Sequence, residues 1–171
     1  MSARVRLARS GDLDVIEKIE NDADQLLINT LKPEGWAAAP SGAARASQPG
    51  FILVVELDDG HVGGFVHVLE VDGLCHLEQL SVAPAEARKG WGRALVAAAK
   101  IQAQERGYHR ISLRTYADVP WNALFYASAG FVEEEPSTQF HRSLVGVEAE
   151  LGLNQYGHRV QMVAYAEPST P

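Results

Sequence analysis

Along the chain, the hydrophobic pattern switches between a two-residue and a helical period, and each switch marks an element. Positions 5–8 form a short strand. From Ser10 the spacing turns helical, with Leu13, Ile16, Ile19 and Glu20 in phase and Ser10 or Asp12 available as the N-cap. Leu26, Leu27 and Leu31 predict a second short helix before Pro33. Positions 37–50 are rich in Ala, Ser, Pro and Gly, lack a period, and are expected to form a mobile loop rather than a domain boundary. Three strands follow, at 51–57, 62–71 and 74–82. The turn sequences Asp58-Asp59-Gly60 and Asp72-Gly73 join them into an antiparallel meander, and Gly63-Gly64 suggests a bulge.

After Pro84 the character changes. A long helix is expected over 90–106, with Leu95, Ala98, Ala99 and Ile101 on its apolar side and Gly107 closing it. A strand at 111–115 leads to a shorter helix, opened by Pro120 and running to Ala129. Gly130 ends that helix, and a strand begins at 131–133. A helix around 144–151 and a strand at 160–166 complete the pattern, with 167–171 expected to be a disordered tail. This order predicts an α+β fold, a mixed and mostly antiparallel sheet flanked by helices.

Composition narrows the function. A length of 171 residues favours one domain with a sizeable core. Fifteen Lys and Arg against 22 Asp and Glu give a net charge of −7, which disfavours nucleic acid as a partner. The single cysteine, Cys75, cannot form an internal disulfide or a Cys-rich metal site. His61, His67, His109, His141 and His158 show no metal-ligand spacing, so no metal is expected. The N-terminus lacks the apolar region of a signal peptide and no run is long enough to span a bilayer. A soluble cytoplasmic protein without a membrane partner is expected.

The chemistry concentrates at 80–95, where a strand runs through Leu80, Ser81 and Val82 into a loop, and Gly90-Trp91-Gly92 opens the long helix. Glycines let backbone N–H groups approach a ligand, and the first N–H groups of a helix point at it with the favourable end of the dipole. Arg88, Lys89 and Arg93 add positive charge, so the segment suits a pyrophosphate. A mononucleotide loop would need Gly-Lys followed by Ser or Thr, and a dinucleotide fingerprint a third glycine where Arg93-Ala94-Leu95 stands.

With Val82-Ala83-Pro84 ahead of Gly90-Trp91-Gly92, the segment resembles the coenzyme-A-binding motif of the GNAT superfamily of N-acyltransferases. Ala87 departs from the family's Arg/Gln, with Arg88 next to it. A second segment, Phe125-Tyr126 followed by Gly130-Phe131, resembles the family's later motif. Val119 stands where the family often has Asn, with Asn122 nearby. The resemblance covers roughly residues 4–135. It implies a seven-stranded sheet splayed between its fourth and fifth strands, and acetyl-CoA as cosubstrate. The cofactor would contact Leu80 and Val82 through their backbone, the loop Arg88, Lys89, Gly90, Trp91, Gly92 and Arg93, and Asn122 and Phe125. It also implies a small-molecule amine as acceptor, or a protein amine, and makes a homodimer a candidate assembly.

Acetyl transfer to an amine needs a base for the ammonium proton and an acid for the leaving thiolate. His76 and Glu78, two apart on one strand face, are the candidate bases, directly or through water. A phenol stays protonated at neutral pH, which makes Tyr126 the candidate acid. Glu17 and Glu20 are candidates for the acceptor site or for a solvated helix face. Trp36 and Trp121 could line an acceptor pocket or pack in the core. Cys75 has no Cys/His/Asp signature around it, so attack is expected to be direct, within a ternary complex. A non-catalytic acyl-CoA-binding module on the same fold is the alternative.

Overall fold

Residues 3–31, 36–119 and 122–166 are described in the computed structural model of the chain. Strand β1 (Arg4–Leu7) leads through a 3-10 turn into helix α1 (Leu13–Leu31). A short helix α2 (Gly42–Ala46) precedes the meander β2 (Gly50–Glu56), β3 (Val62–Val71) and β4 (Leu74–Val82). Helix α3 (Trp91–Glu105), β5 (Arg110–Tyr116), α4 (Ala123–Ser128), β6 (Val132–Glu134), α5 (Gln139–Glu150) and β7 (Arg159–Tyr165) follow. The seven strands form one mixed sheet in the order β1-β2-β3-β4-β5-β7-β6, in which only β4 and β5 run parallel. This is the α+β architecture that the periodicity predicts.

Alternation along the strands divides the core between the two faces. Phe51, Leu53, Val55, Val66, Val68, Cys75 and Leu77 pack under α3, against Leu95, Val96, Ala99 and Ala103. The intervening Ile52, Val54 and Phe65 face Ile16 and Ile19 of α1. Ile101, assigned to the apolar side of α3, is instead exposed. The bulge expected at Gly63-Gly64 is present, since Val55 pairs with Gly64 and Glu56 with Val62, leaving Gly63 as the extra residue. A second bulge has no glycine to announce it. His67 pairs with Gln79 and Val68 with Leu77, so Glu78 is unpaired in β4.

Three expectations are corrected around α1. The two predicted helices are one of 19 residues, because nothing between Glu20 and Leu26 breaks the backbone. Asp12 is not a simple N-cap. Its buried carboxylate accepts Arg9 N–H at 2.7 Å and pairs with Arg6 at 2.8 Å. The segment 37–50 holds α2, capped by Ser41 Oγ, which accepts Ala44 N–H at 3.0 Å. Gly42 sits so close to α1 that a Cβ there would lie 2.0 Å from Leu13 O. That docking buries Arg45, which donates to both oxygens of Glu20 at 2.9 Å. Elsewhere, α5 begins five residues earlier than predicted, at Gln139, where Thr138 Oγ1 accepts His141 N–H at 3.0 Å. Pro120, Trp121 and the tail 167–171 lie outside the described residues.

Candidate active site

The sheet opens at β4 and β5. These strands pair only through His76 with Ser112 and Leu77 with Leu113, and then part. The unpaired Glu78 stands at the point of divergence, where the bulge releases β4 from a regular ladder. A cleft of about 570 Å³ occupies the fork. One side carries Leu77–Val82 of β4, and the other carries residues 113–116 of β5, with Asn122 and Tyr126 beside them.

At the end of the cleft nearest Val82, the chain enters α3. Arg88 and Gly90 both take left-handed backbone conformations, with φ of 65° and 87°. A non-glycine residue rarely does so, and the pairing of such residues turns successive amides toward one concavity. The first bond of α3 at this end runs from Ala94 N–H to Gly90 O, so the N–H groups of Trp91, Gly92 and Arg93 lie at its open end. A Cβ at Gly90 would have nothing within 4 Å, so the concavity is clear of protein there. One at Gly92 would touch Phe125 at 3.5 Å and Val82 at 3.8 Å, which locks this turn against β4 and α4. Lys89 pairs with Glu86 at 3.1 Å, and Arg93 reaches Ser128 Oγ at 2.8 Å while lying over the Phe125 ring. Among the described residues, Arg88 alone of the three basic side chains has no partner. A pyrophosphate fits this arrangement through amides first and Arg88 second.

Tyr126 is fixed from both sides by the edges of Phe125 and Phe131, at centroid distances of 5.1 and 5.7 Å. Its position follows from the end of α4, where Phe131 N–H closes back on Tyr126 O at 3.0 Å through Gly130 at φ 96°. Its hydroxyl has no partner among the described residues, and burial pushes the phenol well above its ordinary value. Across the cleft, Glu78 is exposed to the open cavity. Desolvation raises its carboxyl above the usual range against the opposing pull of Arg45 and Arg159.

The model of the acetyltransferase (GNAT) family matches residues 17–131. The chain belongs to this family. Solved structures with the same fold include PaiA N-acetyltransferase from Thermoplasma acidophilum in complex with coenzyme A. Its TM-score is 0.71 at 14% identity, with 97% of this chain and 100% of that one covered. The ribosomal-protein-S18-alanine N-acetyltransferase from Escherichia coli matches at a TM-score of 0.69 and 17% identity, over 98% and 96% of the two chains. A chimera of spermidine N-acetyltransferase SpeG from Vibrio cholerae and hSSAT gives 0.64 and 19%, over 96% of each. At such identities the likeness is one of fold.

Within this GNAT fold, the residues singled out from sequence separate into two groups. Glu78, Leu80, Val82, Asn122 and Tyr126 meet at the cleft, and Gly90, Trp91, Gly92 and Phe125 adjoin its Val82 end. His76 does not join them. It is buried below the fork, with Nδ1 2.8 Å from Ser112 Oγ, which in turn lies 2.9 Å from His141 Nε2. Desolvation and the neighbouring His141 push His76 down to about 3, so it is neutral and sealed. The expected single face holds, but α5 covers His76 through Phe140 and His141 while the bulge opens Glu78 to the cavity. Val119, at the position where the family often has Asn, is buried in the core. Cys75 is buried on the α3 face with its thiol pushed up to about 12 by desolvation, which leaves no thiolate for an acyl-enzyme.

The other end of the cleft is formed by residues from both ends of the chain. Glu20 and Trp36 line it, whereas Glu17 does not. Asp24, Tyr156 and Arg159 line it as well. Asp24 follows Glu20 by four residues and so shares its helix face, a signal present in the sequence. Tyr156 and Arg159 arrive from the far end of the chain with no local signal. Among the described residues, no group of three His, Cys, Asp or Glu could hold a metal ion, and no helix is long and apolar enough to cross a membrane.

Proposed function

We propose that the protein moves the acetyl group of acetyl-CoA to a primary amine by direct attack in a ternary complex. The observation that carries this reading is the placement of Glu78 and Tyr126 in one cleft at the β4/β5 fork. Bound acetyl-CoA supplies the activated acyl carbonyl and the thiolate leaving group. The amides of Trp91, Gly92 and Arg93 suit its pyrophosphate. From Glu78 onward β4 has no strand partner on its β5 side, so the backbone at Leu80 and Val82 suits the amides of the pantetheine arm by strand addition.

An alkyl ammonium titrates near 10.4, so the acceptor arrives charged and must lose a proton before attack. Glu78 takes that proton, directly or through water. Its raised pKa brings a carboxylate closer to the operating pH of a general base. Tyr126, held protonated by burial, gives a proton to a thiolate whose conjugate acid lies near 8.5. Supply of both proton transfers from one cleft makes a covalent intermediate unnecessary.

The test is coenzyme A release from acetyl-CoA with a panel of amines, including a peptide N-terminus and lysine, with products identified by mass. Acetylated product is expected for at least one member. Tight coenzyme A binding with no amine acetylated would favour the non-catalytic acyl-CoA module instead.

A further inference from the structure

The charges that line the cleft do not cancel. Glu20 is bound through both oxygens by Arg45, and the pair is buried. Arg114 and Arg159 share the single carboxylate of Glu148, at 2.7 and 3.1 Å, which leaves one positive charge over, and Arg159 Nε is buried with no hydrogen-bond partner among the described residues. Two carboxylates, Glu78 and Asp24, stand against that one surplus positive charge, a net excess of one negative charge: among the described residues, no basic side chain forms an ion pair with either. The first stands at the fork. The second sits on α1 near the Trp36 indole. Desolvation raises its carboxyl against the lowering pull of that indole, and its oxygens keep lone pairs for a ligand. Trp36 in turn faces Tyr156 across this end of the cleft, with ring centroids 6.4 Å apart and planes tilted by 50°. An anionic oxygen beside two aromatic rings is a setting for a desolvated cation. Ala23, Leu151 and Leu153 line the same cleft and give a methylene chain apolar surface.

We infer that the acceptor carries a second cationic centre, held by Asp24 against the Trp36–Tyr156 pair while its reacting amine lies at Glu78. The inference rests on the acetyltransferase reading and narrows it to diamines, polyamines and other multiply charged amines. A carboxylate-bearing acceptor would meet Asp24 with like charge, and a simple alkylamine would leave Asp24 and the rings without a ligand.

The experiment compares a homologous series of α,ω-diaminoalkanes with n-alkylamines of the same chain length, at fixed acetyl-CoA. At the best length the diamine should exceed its monoamine in kcat/KM by roughly tenfold or more, the worth of one charged contact. Asp24→Asn, nearly isosteric, should shrink that preference, and Trp36→Leu should shrink it by removing a ring. Equal or better turnover of the monoamine at every length would overturn the inference and leave acetyl transfer standing. If no amine is acetylated, acetyl transfer fails instead. Calorimetry of the diamine on the coenzyme A complex then decides the subsite: binding weakened by Asp24→Asn sustains it, and absence of binding overturns it.

Discussion

Desolvation by the walls of the cleft raises the pKa of Tyr126 and of Glu78, and the two shifts bear differently on the proposed tasks. For the phenol, a higher pKa keeps it protonated at neutral pH but makes it a weaker donor to a thiolate, so its contribution rests on being positioned beside the leaving group. For the carboxylate, it strengthens the base. Tyr126→Phe keeps the ring between Phe125 and Phe131 and removes only the hydroxyl. Loss of a positioned acid typically costs ~10²–10⁴-fold, so single-turnover acetylation should fall by that order while coenzyme A affinity barely moves. A variant that kept near-full single-turnover rates would assign the proton to water. As the proposed base, Glu78 must be ionised to accept a proton. The acidic limb of kcat/KM should therefore lie above the ordinary glutamate value of about 4.3, with activity lost as pH falls through it. In Glu78→Gln, kcat/KM should drop and that limb should disappear. Persistence of the limb would place the base elsewhere.

At the scale of elements, the α3 entry and the β4 bulge set the site, and they were unequally legible in the sequence. The glycines at 90 and 92 and the turn at 130 announce themselves, because only particular backbones need glycine there. Gly90→Val forces a β-branched residue to φ 87° and turns the amides away, so coenzyme A affinity should fall severalfold or more. The protein should still fold, since no neighbour lies within 4 Å of the new Cβ. Calorimetry with coenzyme A on the folded variant measures this, and undiminished affinity would move the pyrophosphate elsewhere. The bulge at Glu78 gives no such sign. Strand periodicity places His76 and Glu78 on one face correctly, but it cannot register that α5 seals one and the fork opens the other. Arg45 was hidden for a related reason. It lies in a segment without hydrophobic period, and its role depends on a contact with Glu20, 25 residues away in sequence. Removing one partner of such a buried pair typically costs about 3–5 kcal/mol. Residues 37–40 of the same segment line the cleft.

For the whole molecule, acid acts through the groups buried between the layers. His67 is held down to about 4 and His76 to about 3, both chiefly by desolvation, whereas each titrates near 6.5 when unfolded. Below pH 6.5 the unfolded chain binds protons that the native state refuses, so stability falls as pH drops through that value and on toward the native pKa values. Glu20, Asp24 and Glu78, with raised native pKa values, oppose this only nearer their own titration range. Urea unfolding at a series of pH values should show the decline. His76→Gln should flatten it by up to about 1.4 kcal/mol per pH unit, the effect of one proton. An equal slope in the variant would mean that His76 is protonated in the native state. The extra residue of β4 has a different bearing, on ancestry. Cys75 and Leu77 before it, and Leu80 and Val82 after it, all pack with the α3 core, although their numbering changes parity. Excising Glu78 would restore an unbroken alternation without moving any of them to the wrong face. A single-codon deletion could thus erase the carboxylate while Cys75, Leu77, Leu80 and Val82 keep their face, so a lineage could lose Glu78 without rearranging the α3 core.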